Sequence, residues 1–270
     1  MQKISRMKRR TARACVAFAA WLWLPVCCGC ATTGNVPRPA DGNAPPVVFT
    51  NSLGMKFAPV PGTPVWFSIW DVRVQDYRAY AAANHGVDAS WQQPGFKQGD
   101  THPVVNVNWH DAQAFCAWLS RREGKTYRLP TDAEWSVAAG LENEIGSTPV
   151  EKLQYDLLHH FNEYLWGTNG PPPRWAGNYS SAIRRDGYTY TSPVGSFAAN
   201  RFGLFDLGGN VTQWCEDWYE QTHRWRVARG TSFGDHGAGY GLSLNRANHL
   251  PDRRSCFDGF QCVLEPAVNP

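Results

Sequence analysis

Arg201-Phe-Gly-Leu-Phe-Asp-Leu-Gly-Gly-Asn-Val-Thr-Gln-Trp-Cys-Glu-Asp-Trp-Tyr219, then Arg226-Val-Ala-Arg-Gly-Thr-Ser-Phe233, then Gly259-Phe-Gln-Cys-Val263 are the stretches whose reading decides the fold of this chain. They enclose residues 234 to 258, the segment on which function turns. Thirteen Trp, 25 Gly and 19 Pro in 270 residues describe a loop-rich body with little regular helix. That composition suits turns and short strands.

Working outward, the first residues are of another kind. Lys3, Arg6, Lys8, Arg9, Arg10 and Arg13 form a basic n-region, and Ala14 to Val26 is an apolar run too short to span a bilayer. The leader ends in Leu24-Pro-Val-Cys-Cys-Gly-Cys30-Ala, where a small residue precedes a cysteine as in a bacterial lipoprotein cleavage box. Residues 1–29 therefore read as a lipoprotein signal peptide and Cys30 as the lipidated N-terminus, with Cys28 and cleavage without a lipid as alternatives. Lipidation implies an exported protein held on the outer membrane by its anchor and not spanning, with the cell surface the expected face and the periplasmic side the alternative. Residues 30–46, with Pro37, Pro39, Pro45 and Pro46, read as a flexible tether. Residues 47–270 then form one domain.

Charge and cysteine use agree with this address. The formal charge of +3 falls to −3 once the six basic leader residues are removed, and no Lys/Arg stripe remains, so nucleic acid is not an expected partner. Four cysteines stay in the body, Cys116, Cys215, Cys256 and Cys262, and they allow three disulfide pairings. No CxxC is among them, which argues against a structural zinc site.

The best helix begins at Asn108. That residue caps it, Asp111 sits in its first turn, Ala112, Phe115, Cys116 and Leu119 recur at helical spacing, and Gly124 supplies the stop. Cys116 is expected to face the core. A second helix begins near Thr131, with Glu134 in capping-box spacing. Glu151 to Phe161 reads as a short helix ending in His159-His160, a pair expected at the surface and not at a metal.

The opening stretches, together with Val47 to Phe57, His102 to Trp109 and Arg128 to Trp135, resemble the formylglycine-generating enzyme (sulfatase-modifying factor) family, whose domain is a variant of the C-type lectin fold. The resemblance implies an α+β domain of short strands, two main helices and much irregular structure. It also implies a copper site built from two cysteines shortly after an Arg-Gly-Gly-Ser motif. The matching segment here, Gly237 to Asn245, has no cysteine. Gly, Leu and Ser do not replace the soft thiolates that hold Cu(I), so no copper is expected. The related sulfoxide synthases use His-x3-His, a spacing none of the eight His shows. Ser232, His236, Asp235 and Asp252 assemble a triad only by force, since such residues fill any polar loop.

The resemblance further implies calcium at Asn178 and Asp186, completed by the carbonyls of Tyr179 and Tyr188, with Asn210 a weaker candidate; hard oxygens on Gly-containing turns suit that ion. Two plain Asx turns are the alternative.

Residues 234–258 contain no Trp, Glu, Gln, Lys or Met, the five types that a codon ending in C or T never encodes. Gly234-Asp-His236, Asn248-His-Leu250 and Ser255-Cys-Phe-Asp258 are what Asn codons become when their adenines are randomised. The pattern resembles the variable region of diversity-generating retroelement proteins, which display one rewritten segment on a C-type lectin scaffold; a Gly-rich loop of ordinary origin is the alternative. The resemblance implies a variable ligand-binding face of Gly234, Asp235, His236, Tyr240, Leu242, Asn248, His249, Leu250, Ser255, Cys256, Phe257 and Asp258. It would be framed by Arg229-Gly230, Ser232, Arg246-Ala247, Pro251 and Gly259-Phe260. Aromatic anchors among small polar residues have the composition of a paratope. The expected function is binding of a protein or other macromolecule on a host or neighbouring cell, without catalysis. A diverged oxidoreductase lacking its copper pair and a purely structural envelope lipoprotein are the other two classes.

Overall fold

The helix expected at Asn108 forms as its sequence dictates and sets the core. In the computed structural model, which describes residues 49–141, 143–160, 163–167, 172–180, 186–235 and 242–266, it runs Trp109–Glu123. The leader, Cys30, the tether, His236 and Tyr240 lie outside the described residues. Asn108 accepts from the Asp111 amide and Asp111 reaches back to Asn108, while Gly124 closes the helix in the left-handed region at φ 62. Ala112, Phe115, Cys116 and Leu119 are all buried. Full burial of Phe115 and Leu119 contributes about 1.5–3 kcal/mol each before entropy is counted.

In chain order the elements are β1 (Phe49–Thr50), β2 (Lys56–Pro59), β3 (Trp66–Ser68), α1 (Val74–Ala83), α2 (Trp109–Glu123), β4 (Thr126–Arg128), α3 (Asp132–Ala139), α4 (Pro149–His159), β5 (Thr212–Trp218), β6 (Arg226–Arg229), β7 (Arg246–His249), β8 (Asp258–Gly259) and β9 (Val263–Glu265). A five-stranded sheet has the order β1-β2-β3-β9-β4, and a four-stranded sheet the order β7-β6-β5-β8. The last strand therefore inserts between two early ones: Val263 pairs with both Phe67 and Arg128. Both ends of the domain are locked into one sheet, which leaves the chain between β5 and β9 to build the opposite surface.

Where two main helices were expected, the described residues form four. The helix α1 escapes the usual start signal because its N-cap is Arg73, whose guanidinium bonds Asp76, not a Ser, Thr, Asn or Asp. Its Val74, Tyr77 and Tyr80 are poor helix formers that pack inward against Phe115 and Trp118. The helix α4 begins two residues before its expected start, since Thr148 and Glu151 make a capping box with Pro149 at its entry. The expected box of Thr131 and Glu134 is present at α3.

Candidate binding site

The four-stranded sheet carries the segment of interest. The β6 to β7 hairpin puts Arg226 opposite His249 and Arg229 opposite Arg246, and β8 lies parallel to β5 with Asp258 against Thr212. The framing residues are fixed by packing. Gly230 has φ 76, and a Cβ there would stand 2.6 Å from the Leu207 carbonyl oxygen; one at Gly259 would stand 2.8 Å from that of Val104. Arg229 is fully buried with its guanidinium 4.4 Å over the Trp135 ring. Ser232, Arg246 and Phe260 are buried, and the Pro251 carbonyl accepts from the Trp109 amide.

Beneath the segment lies a buried ionic network. Arg246 Nε donates to Asp132 at 2.8 Å, Nη1 to Asp156 at 2.8 Å, and Nη2 reaches Glu144. Arg229 Nη1 stands 3.2 Å from the same Asp132 oxygen. Burial raises Asp132, but Arg229 and Arg246 outweigh it and hold the carboxyl below its usual range. Burial and the neighbouring Glu144 push Asp156 the other way, to about 6.

Above that network is a cavity of about 230 Å³ lined by Ser232, Gly234, Asp235, His249, Phe257 and Asp258, with Arg253 at its edge. Five of the expected variable residues thus meet at one concavity although up to 24 positions separate them. Asp235 Oδ2 accepts from the Ser232 amide at 2.6 Å and its hydroxyl at 3.0 Å. Asp258 Oδ2 lies 3.0 Å from Arg253 Nε and 3.3 Å from His249 Nδ1. Phe257 packs over Gly234, where a Cβ would fall 2.3 Å from its ring.

The remaining expected residues divide. Asn248 and Leu250 are exposed, on and just beyond the edge strand β7. Ser255 caps the turn before β8, its hydroxyl accepting from the Phe257 amide at 3.2 Å, and Cys256 is half-buried. Leu242 does not line the exposed face: it is 7% exposed and packs with Leu141 and Leu244, because the short bridge from Leu242 to Tyr164 turns it inward. Asp258 is likewise only 1% exposed, reachable through the cavity alone. Asp252, needed for the forced triad, sits instead by His110 at 3.5 Å.

Sequence reasoning missed Arg253 and the row of rings behind Phe257. Phe257 lies 5.0 Å from Phe233, which meets Tyr190 and Phe96, themselves stacked at 4.5 Å. Phe96 and Tyr190 come from distant loops, and nothing local marks them. A larger groove of about 520 Å³ beside α1, lined by Val74, Arg78, Trp91 and Phe96, is separate from residues 234–258.

At the expected calcium residues, Asp186 accepts from the Tyr179 amide at 2.7 Å and the Tyr188 amide at 2.9 Å, as an Asx turn does. Asn178 is fully buried. Its Nδ2 donates to the Tyr190 carbonyl at 2.8 Å, while its Oδ1 has no hydrogen-bond partner. Asn210, at φ 64, spends its amide on both backbone groups of Ser192. An orphaned hard oxygen at Asn178 fits a calcium ligand. Asn210 fits a turn.

Among the cysteines, Cys116, Cys215 and Cys262 are buried, and burial pushes the Cys215 and Cys262 thiols well up. Cys116 Sγ lies 3.5 Å from Cys262 Sγ. No described helix is long and apolar enough to cross a membrane.

The two sheets, the interlocked domain ends and the loop-built concavity define an α+β domain of C-type-lectin-like fold. Residues 58–266 match the sulfatase-modifying factor enzyme 1-like domain, and the chain belongs to the formylglycine-generating enzyme (sulfatase-modifying factor) family. It is 31% identical to the formylglycine-generating enzyme of Thermomonospora curvata over 76% of this chain and 69% of that one. It is 33% identical to the inactive C-alpha-formylglycine-generating enzyme 2 of Bos taurus over 65% of this chain and 56% of that one. PvdO of Pseudomonas aeruginosa superposes with TM-score 0.57 at 26% identity, covering 74% of this chain and 80% of that one. Treponema denticola variable protein 1 shares the fold at TM-score 0.52 and 21% identity, covering 81% of this chain and 94% of that one.

Proposed function

We propose that this domain binds ligands without catalysis, displayed on a bacterial surface by a lipid on Cys30, and that a retroelement rewrites residues 234–258 to change what it binds. One observation carries the reading: Gly234, Asp235, His249, Phe257 and Asp258 converge on one concavity, while Arg229, Ser232, Arg246 and Phe260 of their frame are buried and Gly230 and Gly259 are sterically fixed. Such a division lets surface side chains change while the backbone beneath stays rigid, which lowers the ordering cost of binding. The partner is a protein or other macromolecule on a host or neighbouring cell, and nucleic acid is not among the partners. Calcium is bound as a structural ion by Asn178 and Asp186 with the Tyr179 and Tyr188 carbonyls, where it would satisfy Asn178 Oδ1 and stiffen the loop.

The gene's flanking DNA tests the reading. A repeat of the last coding stretch with adenines at the variable codons, beside a reverse transcriptase gene, is the expected finding; absence of both removes the diversified-binder reading.

The likeness to active formylglycine-generating enzymes favours a second reading, a diverged oxidoreductase. Against it stand the missing cysteine pair and burial-raised thiols at Cys215 and Cys262. Purified protein supplied with copper and a cysteine-containing sulfatase peptide is expected to leave the cysteine unchanged; conversion to an aldehyde decides for the enzyme.

A further inference from the structure

The cavity lined by Phe257 holds carboxylate oxygens that receive no hydrogen bond from the protein. Asp258 is 1% exposed, yet neither of its carboxylate oxygens receives a hydrogen bond. Arg253 Nε and His249 Nδ1 flank Oδ2 at 3.0 and 3.3 Å, but the Arg253 side chain is 41% exposed, so water weakens its pull. Asp235 adds a second carboxylate. Among the described lining residues, two carboxylates thus face one guanidinium and one imidazole. A buried acceptor without a donor is costly, and a charged one more so.

Phe257 gives the same cavity an aromatic, braced lining. Gly234 leaves room for the Phe257 ring, and Phe233, Tyr190 and Phe96 back it. The electron-rich face of a ring attracts a cation.

We propose that this cavity takes a primary ammonium group, on a lysine side chain or the amino terminus of a protein partner, which donates N–H to Asp258 and lays its methylene carbons against Phe257. The proposal rests on the ligand-binding reading above and adds the chemistry of its ligand. An ammonium supplies three donors and no acceptor, matching orphaned carboxylate oxygens. About 230 Å³ admits a short alkyl chain and not a folded element.

The test titrates the whole domain with n-butylammonium while following the backbone amides of Asp235, His249 and Asp258 by nuclear magnetic resonance. Saturable shifts at these amides are expected, with tetramethylammonium, which has no N–H, binding at least about tenfold more weakly and butyrate giving none. Asp258→Asn is expected to weaken butylammonium binding at least about tenfold, the worth of a charge-assisted hydrogen bond. Should Asp258→Asn fail to fold, Asp235→Asn and Phe257→Ala, at partly exposed positions, must each weaken binding by about threefold or more. Competition by Nα-acetyl-lysine amide against glycinamide separates a side-chain source from an amino terminus. Absence of saturable shifts, equal binding of tetramethylammonium, or unchanged affinity in the variants overturns the proposal. The display reading would survive that result, because it is judged by the flanking DNA.

Discussion

Arg246 Nη1 donates to Asp156 Oδ2 across 2.8 Å, and both side chains are wholly buried although 90 positions separate them. This contact ties β7, at the base of the candidate binding segment, to α4. Buried pairs seldom add net stability over apolar residues, but breaking one strands a charge. The pair thus specifies where the segment sits.

Arg246→Ala leaves Asp132, Glu144 and Asp156 without their shared cation. It is expected to cost about 3–5 kcal/mol in urea unfolding at pH 7. Lowering the pH should recover part of that loss as the stranded acids take up protons. A loss under 1 kcal/mol would show that the network is not holding the segment.

Asp206 is fully buried, and that burial lifts its carboxyl to about 6 despite hydrogen bonds from Gly195 and Asn210. An acid with a raised folded pKa binds its proton more tightly folded than unfolded. Its contribution is therefore present at low pH and lost as pH rises from about 4 through 6. A shift of this size corresponds to on the order of 2–3 kcal/mol. Asp206→Asn should flatten the pH dependence of unfolding free energy across that window and leave the variant relatively more stable at pH 7. An unchanged slope counts against the assignment.

Cys116 and Cys262 are core neighbours 146 positions apart. When the domain is produced in an oxidising compartment, they are expected to join, leaving Cys215 and Cys256 as thiols. Alkylation under denaturing conditions then labels two cysteines before reduction and four after. Closing so long a loop stabilises by up to about 5 kcal/mol on loop-entropy grounds, so Cys116→Ser should lower the midpoint of unfolding more in the oxidised protein than in the reduced one.

Tolerance should differ sharply within the segment. Asn248 and Leu250 are exposed, and their replacement is expected to stay within about 0.5 kcal/mol. Leu242→Asp places a carboxylate among Leu141 and Leu244 and is expected to cost about 3 kcal/mol or more. Thermal melts of the variants read both. Equal tolerance would return Leu242 to the surface.

Calcium at Asn178 should raise the melting temperature of the metal-free protein, and Asn178→Ala should abolish that rise. A rise that persists in the variant places the ion elsewhere.

Wherever the chain's physics is local, its sequence was enough. Asn108, Asp111 and Gly124 set the ends of α2 from within one turn of each end, as Thr131 and Glu134 set the start of α3. The family motifs likewise named the fold, because Gly230 and Gly259 are demanded by backbone contacts that no side chain permits. The absence of cysteine from the segment after Gly230 needs no coordinates. What only the tertiary structure decided depends on contacts between distant segments. It turned Leu242 inward, buried Asp258 beside Arg253 and His249, stacked Phe96 on Tyr190 behind Phe257, and brought Cys116 to Cys262. Neighbours in sequence prescribe a turn or a cap. Burial, and with it the carboxylate left without a donor in a cavity, belongs to residues that meet only when both sheets have closed.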